Sequence, residues 1–247
     1  MKKNYRAVIQ YEGTRYQGWQ KQISTDNTIQ GKLENILSSL EAKPVEVHSS
    51  GRTDAGVHAY GQVISFVLEC EKTEKEIMEY LNRYLPQDIG VISLVQAGDR
   101  FHARLNATGK MYQYRVLNSS IPHIFDRRYV YQLEEKLDKE AMQKAISYLE
   151  GKHDFKAFTS KKNTKKSTVR TIYHIEIEEK GEELIFSFSG DGFLYHMVRI
   201  LMGTILEVGL HKRQADSIPE VLESKDRSQA GFLVPANGLA LLQVYYD

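Results

Sequence analysis

The 247-residue chain contains one cysteine, Cys70, and one tryptophan, and it has neither a long apolar run nor an excess of charge of one sign. A single cysteine excludes an internal disulfide and any zinc site built on cysteine pairs. No apolar run is long enough to span a bilayer, and the strand-like pattern that follows Met1 predicts no signal peptide. We therefore expect a cytoplasmic protein with no membrane partner.

The histidines and glycines also lack the spacing of common cofactor sites. The eight histidines are scattered, with no HExxH pattern and no carboxylate spacing typical of a metal site. There is no P-loop, and no GxGxxG follows a predicted strand. The sequence therefore predicts neither a catalytic metal nor a nucleotide cofactor.

The net charge is +1 with neutral histidines, so a polyanion would need positive charge that is concentrated locally. One segment provides this, because it contains five basic residues and no acidic one: Lys161, Lys162, Lys165, Lys166 and Arg170. A run of this kind can be a solvated loop or a phosphate-binding site, and the pattern leaves both open. Arg127 and Arg128 form a smaller basic patch.

Hydrophobic periodicity predicts the secondary structure of the first half. It indicates strands at 5–11, 45–47, 62–70 and 89–95, and helices at 28–40 and from a Thr73–Glu76 capping box to Pro86. The order strand, helix, strand, strand, helix, strand is that of a ferredoxin-like plait.

The second half repeats this order of elements without a visible sequence repeat. Strands are predicted at 110–116, 171–177, 184–189 and 239–246, and helices at 138–149, 193–208 and 215–222. The sequence thus predicts an α+β fold of two plaits whose sheets lie side by side, with an N-terminal domain of residues 1–104 and a C-terminal domain of residues 105–247.

Two features are candidates for chemistry. The loop 51–59 places Asp54 between two glycines, which suits either a projecting catalytic carboxylate or an ordinary turn. Arg199 is the one formally charged residue between Asp191 and Glu207, in a helix that reads as buried. A buried guanidinium requires an anionic partner, which could belong to a structural ion pair or to an active site.

Six motifs, in order along most of the chain, resemble those of the tRNA pseudouridine synthase A family. They are 11–20 (YEGTRYQGWQ), 51–59 (GRTDAGVHA), 101–104 (FHAR), 110–114 (KMYQY), 153–158 (HDFKAF) and 193–199 (FLYHMVR). The family usually has two prolines before a Gly-Leu pair near the C-terminus. This chain has Pro235 and Ala236 before Asn237, Gly238 and Leu239, a departure that concerns the shape of that loop.

The resemblance implies the pseudouridine synthase fold, in which two ferredoxin-like plaits form one extended, mostly antiparallel sheet with helices on one side. It implies a homodimer without a cofactor that isomerises uridine to pseudouridine at positions 38, 39 and 40 of the tRNA anticodon stem-loop. It also implies that Asp54 is the nucleophile and that Tyr112 lies against the target uracil; the residues alone favour a cross-strand core aromatic at Tyr112.

With this assignment, Arg199 is expected to form an ion pair with Asp54 and to keep that carboxylate ionised. Arg52 is a candidate contact to RNA phosphate or to the extruded backbone, and Tyr112 would stack on the flipped base. Two other classes remain for comparison. One is an RRM-type binding module, but its RNP1 pattern is absent from this sequence. The other is an aspartate-dependent hydrolase, which would need a second acidic group near Asp54.

Overall fold

The computed structural model describes residues 1–162 and 166–247. In chain order, its strands are β1 (Lys3–Tyr11), β2 (His48–Ser49), β3 (His58–Leu68), β4 (Ile89–Gln96), β5 (Ala107–Leu117), β6 (Tyr131–Gln132), β7 (Gly151–Asp154), β8 (Val169–Lys180), β9 (Glu183–Gly190) and β10 (Leu239–Tyr246). The α-helices are α1 (Ile29–Glu41), α2 (Glu74–Tyr84), α3 (Lys139–Leu149), α4 (Met197–Gly209) and α5 (Ile218–Ser224).

The chain forms two compact units. The first unit comprises Met1–Thr108 together with Ala240–Asp247, and the second comprises Gly109–Leu239. The C-terminal strand thus groups with the first unit, although it is the last element in the chain. The domain boundary after residue 104 is defined by chain order and stays a prediction.

The sheet of the first unit follows the ferredoxin-like order β4-β1-β3-β2, with antiparallel neighbours. Alternate residues of β1 face the core, where Tyr5, Ala7, Ile9 and Tyr11 are buried. β10 pairs in parallel with the start of β3, at His58 and Ala59. The core therefore fixes the end of β1 beside the start of β3, which is the end of the sheet that the Asp54 loop enters.

The predicted helices of the first unit are confirmed at their caps. The Thr28 side chain accepts a hydrogen bond from the amide of Gly31, and Thr73 forms the predicted capping box with Glu76. Each cap satisfies amides that lack a partner within the helix.

The predicted strand at 45–47 is wrong. Val45 and Val47 are buried, but their amides bond to side chains of α1, namely Ser38 Oγ at 2.9 Å and Glu34 Oε1 at 3.2 Å. The strand pairing begins at His48 instead. The two valines alternate as buried strand residues would, but their hydrogen-bond partners belong to a helix.

The second unit contains an antiparallel sheet in the order β5-β9-β8-β7, and β6 pairs in parallel with β5. The predicted strands at 171–177 and 184–189 form an antiparallel hairpin, and Gly181 has a φ of +63° in its turn. Asp138 caps α3 by accepting from the amide of Ala141. The predicted α+β fold with mostly antiparallel strands is confirmed.

The long apolar helix starts later than predicted, at Met197 instead of Phe193. His196 has a φ of +64°, and a residue in the left-handed region cannot continue a right-handed helix. The predicted helix at 215–222 begins as a single 3₁₀ turn, Ala215–Ser217, and continues as α5. Across residues 1–162 and 166–247, no helix combines the length and the apolarity needed to cross a membrane.

Candidate active site

The turn that carries Asp54 spans Asp54–Val57, and we call it the aspartate turn. The amide of Val57 donates to the carbonyl of Asp54 at 3.2 Å. Gly56 has a φ of +80°, the sign that a type II turn requires at its third residue. His58 and Ala59, which were predicted as loop residues, belong instead to β3, because they pair with β10. Asp54 is half-buried.

Thr53 is the anchor on the N-terminal side of Asp54. Its hydroxyl lies 2.8 Å from the Tyr11 hydroxyl, and its carbonyl accepts the amide of Trp19 at 3.0 Å. Tyr11, Thr53 and Trp19 are all buried. Burial raises the pKa of Tyr11 to about 12, although hydrogen bonding to Thr53 and Gln62 acts in the opposite direction. The Tyr11 hydroxyl thus stays protonated and bonded to Thr53 at neutral pH.

Gly18 lies against the backbone of the same residues. It has a φ of +88°, and a Cβ at this position would lie 2.9 Å from the Thr53 carbonyl oxygen and 3.1 Å from the Ala55 nitrogen. Both atoms belong to the backbone, so they cannot move as a flexible side chain would. Any larger residue at position 18 would displace the peptide that carries Asp54.

The carboxylate of Asp88, in the loop between α2 and β4, fixes the segment that contains Gly18. Asp88 accepts hydrogen bonds from Arg15 Nε at 2.8 Å and from the Tyr16 hydroxyl. Burial, followed by the bond and the charge of Asp88, raises the pKa of Tyr16. The segment 12–19 is therefore tied to the start of β4 as well as to the aspartate turn.

Gln62 holds the start of the 51–59 loop. This buried side chain donates to the Gly51 carbonyl at 2.8 Å and accepts from the Ser50 hydroxyl at 2.6 Å. Arg52, by contrast, is exposed. The sequence predicted no role for Tyr11, Gly18 or Gln62. Tyr11 and Gly18 lie in the 11–20 motif, which is the one sequence feature that marks them.

Tyr112 lies on β5 in the second unit, opposite Phe188 of β9, and is 8% exposed. The Phe193 ring meets its ring edge to face, with centroids 5.2 Å apart. Tyr112 is thus a cross-strand aromatic whose ring orientation is fixed by a neighbouring loop.

Arg199 lies on α4 and is half-buried, whereas most residues of that helix are buried. Its Nε donates to the Val234 carbonyl at 2.8 Å. The Tyr114 hydroxyl donates to the next carbonyl, that of Pro235, at 2.8 Å. Burial raises the pKa of Tyr114 far above its usual range, and the positive charge of Arg199 acts in the opposite direction.

Two glycines let the segment before Pro235 cross α4 at close range. A Cβ on Gly203 would lie 1.9 Å from the Phe232 carbonyl oxygen, and one on Gly231 would lie 2.6 Å from the Thr204 nitrogen. The Gly231 amide also donates to the Thr204 hydroxyl at 2.9 Å. This contact places the Val234 carbonyl where Arg199 bonds to it.

Several residues of the predicted basic segment lie at the surface. Lys161, Lys162 and Lys166 are exposed, and Lys165 lies outside the described residues. The side chain of Arg170 lies 3.7 Å from the position a Gly192 Cβ would take, directly before Phe193. In the second unit, Arg170 thus lies beside Gly192, and Tyr112 contacts the next residue, Phe193.

One group of possible metal ligands occurs in the described part of the chain. Single ligand atoms of His123, Asp126 and Glu183 lie within 4.8 Å of one another. Arg115 already donates two hydrogen bonds of 2.8 Å to Glu183, so a guanidinium supplies the positive charge in this cluster. We interpret it as an ion-pair network.

Comparisons with known proteins agree over nearly the whole chain. The profile of a family described as "tRNA pseudouridine synthase" matches residues 7–106 and 145–247. The tRNA pseudouridine synthase A of Bacillus sp. (strain KSM-64) is 48% identical over 238 residues, which cover 96% of this chain and 97% of that protein. The protein of the same name from Acetivibrio thermocellus is 43% identical over 244 residues, 99% of this chain and 100% of the relative.

A crystal structure of a Cbf5-Nop10-Gar1 complex aligns with a TM-score of 0.38 at 16% identity. The alignment covers 82% of this chain and 45% of that chain.

Replacing Tyr11 with Phe tests the anchor of Thr53. We expect the free energy of unfolding to fall by about 1–2 kcal/mol, because the buried Thr53 hydroxyl loses its partner. The folded state retains the Tyr11 proton to a higher pH than the unfolded state, so this tyrosine stabilises the fold fully below pH 10 and less as the pH rises toward 12. The advantage of the wild type should shrink by about 1 kcal/mol between pH 9 and pH 11.

Urea denaturation of the wild type and the variant at both pH values measures this difference. Tyr84→Phe serves as the control, since Tyr84 is 57% exposed. Equal stability of the Tyr11→Phe variant and the wild type at pH 8 would contradict the anchoring role.

Proposed function

This chain belongs to the tRNA pseudouridine synthase family, and from that premise we propose that it isomerises uridines 38, 39 and 40 in the anticodon stem-loop of tRNA. The reaction breaks the bond between N1 of uracil and C1′, turns the base, and joins C1′ to C5; C5 loses its proton to water and N1 takes up one proton. Atoms balance without a co-reactant, so the proposal includes no cofactor.

We assign the role of nucleophile to Asp54. The observation that supports this most strongly is the fixed backbone of the aspartate turn, which Thr53, Trp19 and Gly18 hold by hydrogen bonds and close packing. A carboxylate on a rigid turn needs little reorganisation when it attacks, and preorganisation of this kind lowers the barrier of covalent catalysis.

Arg199 is proposed to supply the cation that keeps Asp54 ionised. Its Nε bond to Val234 fixes the plane of the guanidinium, and this orients the other N–H groups of the fork. A positive charge held by a mainly apolar helix acts more strongly than one in water, because the local dielectric is lower. The ion pair with Asp54 remains part of this proposal.

Tyr112 is proposed to lie against the target uracil after the nucleotide has flipped out of the stem. Flipping costs stacking energy, and contact with an aromatic ring offsets part of it. The perpendicular contact with Phe193 fixes the Tyr112 ring, which suits a wall that receives a base in one orientation.

The exposed lysines Lys161, Lys162 and Lys166, with Lys165 and Arg170, are proposed to contact tRNA phosphates, and Arg52 is proposed to hold the extruded backbone. Arg52 is exposed on the same loop as Asp54, so it can reach RNA that the carboxylate attacks. We further propose that the enzyme acts as a homodimer in the cytoplasm, where tRNA is modified.

The proposal predicts that the purified protein releases tritium from C5-labelled uridine placed at position 38, 39 or 40 of an anticodon stem-loop. Asp54→Ala should lower this release by at least about 10³-fold and retain RNA binding, because it removes the reacting carboxylate. Asp26→Ala removes an exposed carboxylate of the first unit and should behave as the wild type. Unchanged turnover in Asp54→Ala would exclude Asp54 as the nucleophile. If the wild-type protein released tritium only from uridines at positions other than 38, 39 and 40, the proposed substrate would be excluded.

Replacing Arg199 separates its charge from its geometry. Arg199→Met should lower kcat by about 10²–10³-fold, the effect of losing one preorganised electrostatic group. The kcat of Arg199→Lys should lie between those of the wild type and Arg199→Met, since lysine keeps the charge but not the planar fork. The measurement is single-turnover tritium release at saturating RNA, with circular dichroism to verify folding. A folded Arg199→Met variant with the wild-type rate would refute the assigned role.

Replacing Lys161 and Lys162 together with alanine should weaken RNA binding. In a plot of the logarithm of the observed binding constant against the logarithm of the salt concentration, the magnitude of the slope should decrease by about 0.7–0.9 for each phosphate contact removed. Alanine at the exposed Lys72 and Lys75 of the first unit provides a control with the same change of charge. If both double variants show the same affinity and slope, the basic segment is a solvated loop.

A further inference from the structure

Directly before α4, two aromatic rings stack at the protein surface. The rings of Tyr195 and His196 have centroids 3.7 Å apart and planes inclined by 26°. Tyr195 is nevertheless 54% exposed, which is unusual for a large ring that already packs on one side. We call this pair the aromatic platform.

The main chain of the platform is held in place by its neighbours. The Thr159 hydroxyl donates to the Tyr195 carbonyl at 2.9 Å, and the Ser160 hydroxyl lies 2.9 Å from His196 Nδ1. The His196 carbonyl accepts the amide of Ile200 in the first turn of α4. His196 keeps a φ of +64° under these constraints, a conformation that is costly for a residue with a side chain. The ring of Tyr195 is thus presented on a rigid support.

The anchors also bring positive charge to the platform. Lys161 and Lys162 follow Thr159 and Ser160 directly in the chain, and both lysines are exposed. No acidic residue lies between positions 155 and 175. The positive end of the α4 dipole adds to this field. The surroundings favour a polyanion over a protein partner.

The platform is close to the proposed base-binding wall. Phe193 meets the Tyr112 ring edge to face, and Tyr195 is two positions further along the chain. Two residues span at most about 7 Å between Cα atoms, so the backbone of the platform lies within about 7 Å of the residue whose ring packs on Tyr112.

We propose that the exposed face of Tyr195 stacks on an unpaired nucleobase of the substrate RNA. The inference rests on the proposed function, because that function supplies an RNA with an unpaired loop. Aromatic rings flanked by cations are the usual means by which proteins hold single-stranded RNA, and such stacking tolerates any base. The platform is a binding site separate from the wall at Tyr112, and it holds a nucleotide that does not react.

The test uses anticodon stem-loops that carry 2-aminopurine at one unpaired loop position at a time, a base whose fluorescence falls when it stacks. With the wild type, one position should be quenched, and Tyr195→Phe should retain that signal. Tyr195→Ala should abolish it and weaken binding by about 5- to 150-fold, the range expected for one lost base-aromatic contact. The salt slope should stay that of the wild type, since no phosphate contact is removed.

Tyr84→Ala is the matched control, since it removes a tyrosine of similar exposure, 57%, from α2. The proposal is overturned if Tyr195→Ala binds as tightly as the wild type, or if no loop position is quenched by the wild type. A stem-loop that binds and is quenched at one position but releases no tritium would overturn the proposed function and leave the platform standing. The two hypotheses thus fail by different readouts.

Discussion

The approach of Gly18 to the peptide of Thr53 and Asp54 constrains the whole first-unit site. A Cβ at position 18 would lie only 2.9 Å from the Thr53 carbonyl oxygen, so the loops that contain Gly18 and Thr53 fit together in one arrangement. The buried bond between Tyr11 and Thr53 fixes the same peptide from the side of β1. Tight backbone packing and a satisfied buried hydroxyl together give Asp54 its position.

The second unit uses the same device at another place. Gly203 and Gly231 allow a chain segment to cross α4, and this crossing places a carbonyl where Arg199 can donate to it. Tyr114 bonds to the neighbouring carbonyl and so supports the same segment. In both units, the backbone beside a candidate functional side chain is positioned by glycines that pack closely against other backbone atoms.

Most of the fold was predictable, because strands and helices are encoded by local periodicity and by caps such as Thr73 with Glu76. The errors have physical causes: the amides of Val45 and Val47 bond to helix side chains, and the left-handed His196 delays α4. Motif and charge pattern made Asp54, Tyr112 and Arg199 candidates, and their roles stay predictions. The sequence did not predict the supporting contacts made by Gln62 and Gly18, since no local pattern encodes a contact between residues far apart in the chain.

The Tyr11–Thr53 bond also links the site to the order in which the chain folds. It joins residues 42 positions apart, and Gln62 holds Gly51 only from within β3. The aspartate turn therefore cannot assemble before β1 and β3 have paired. An incompletely folded chain carries the sequence of the turn but not its geometry, so the chemistry proposed for Asp54 has to wait until the sheet has formed.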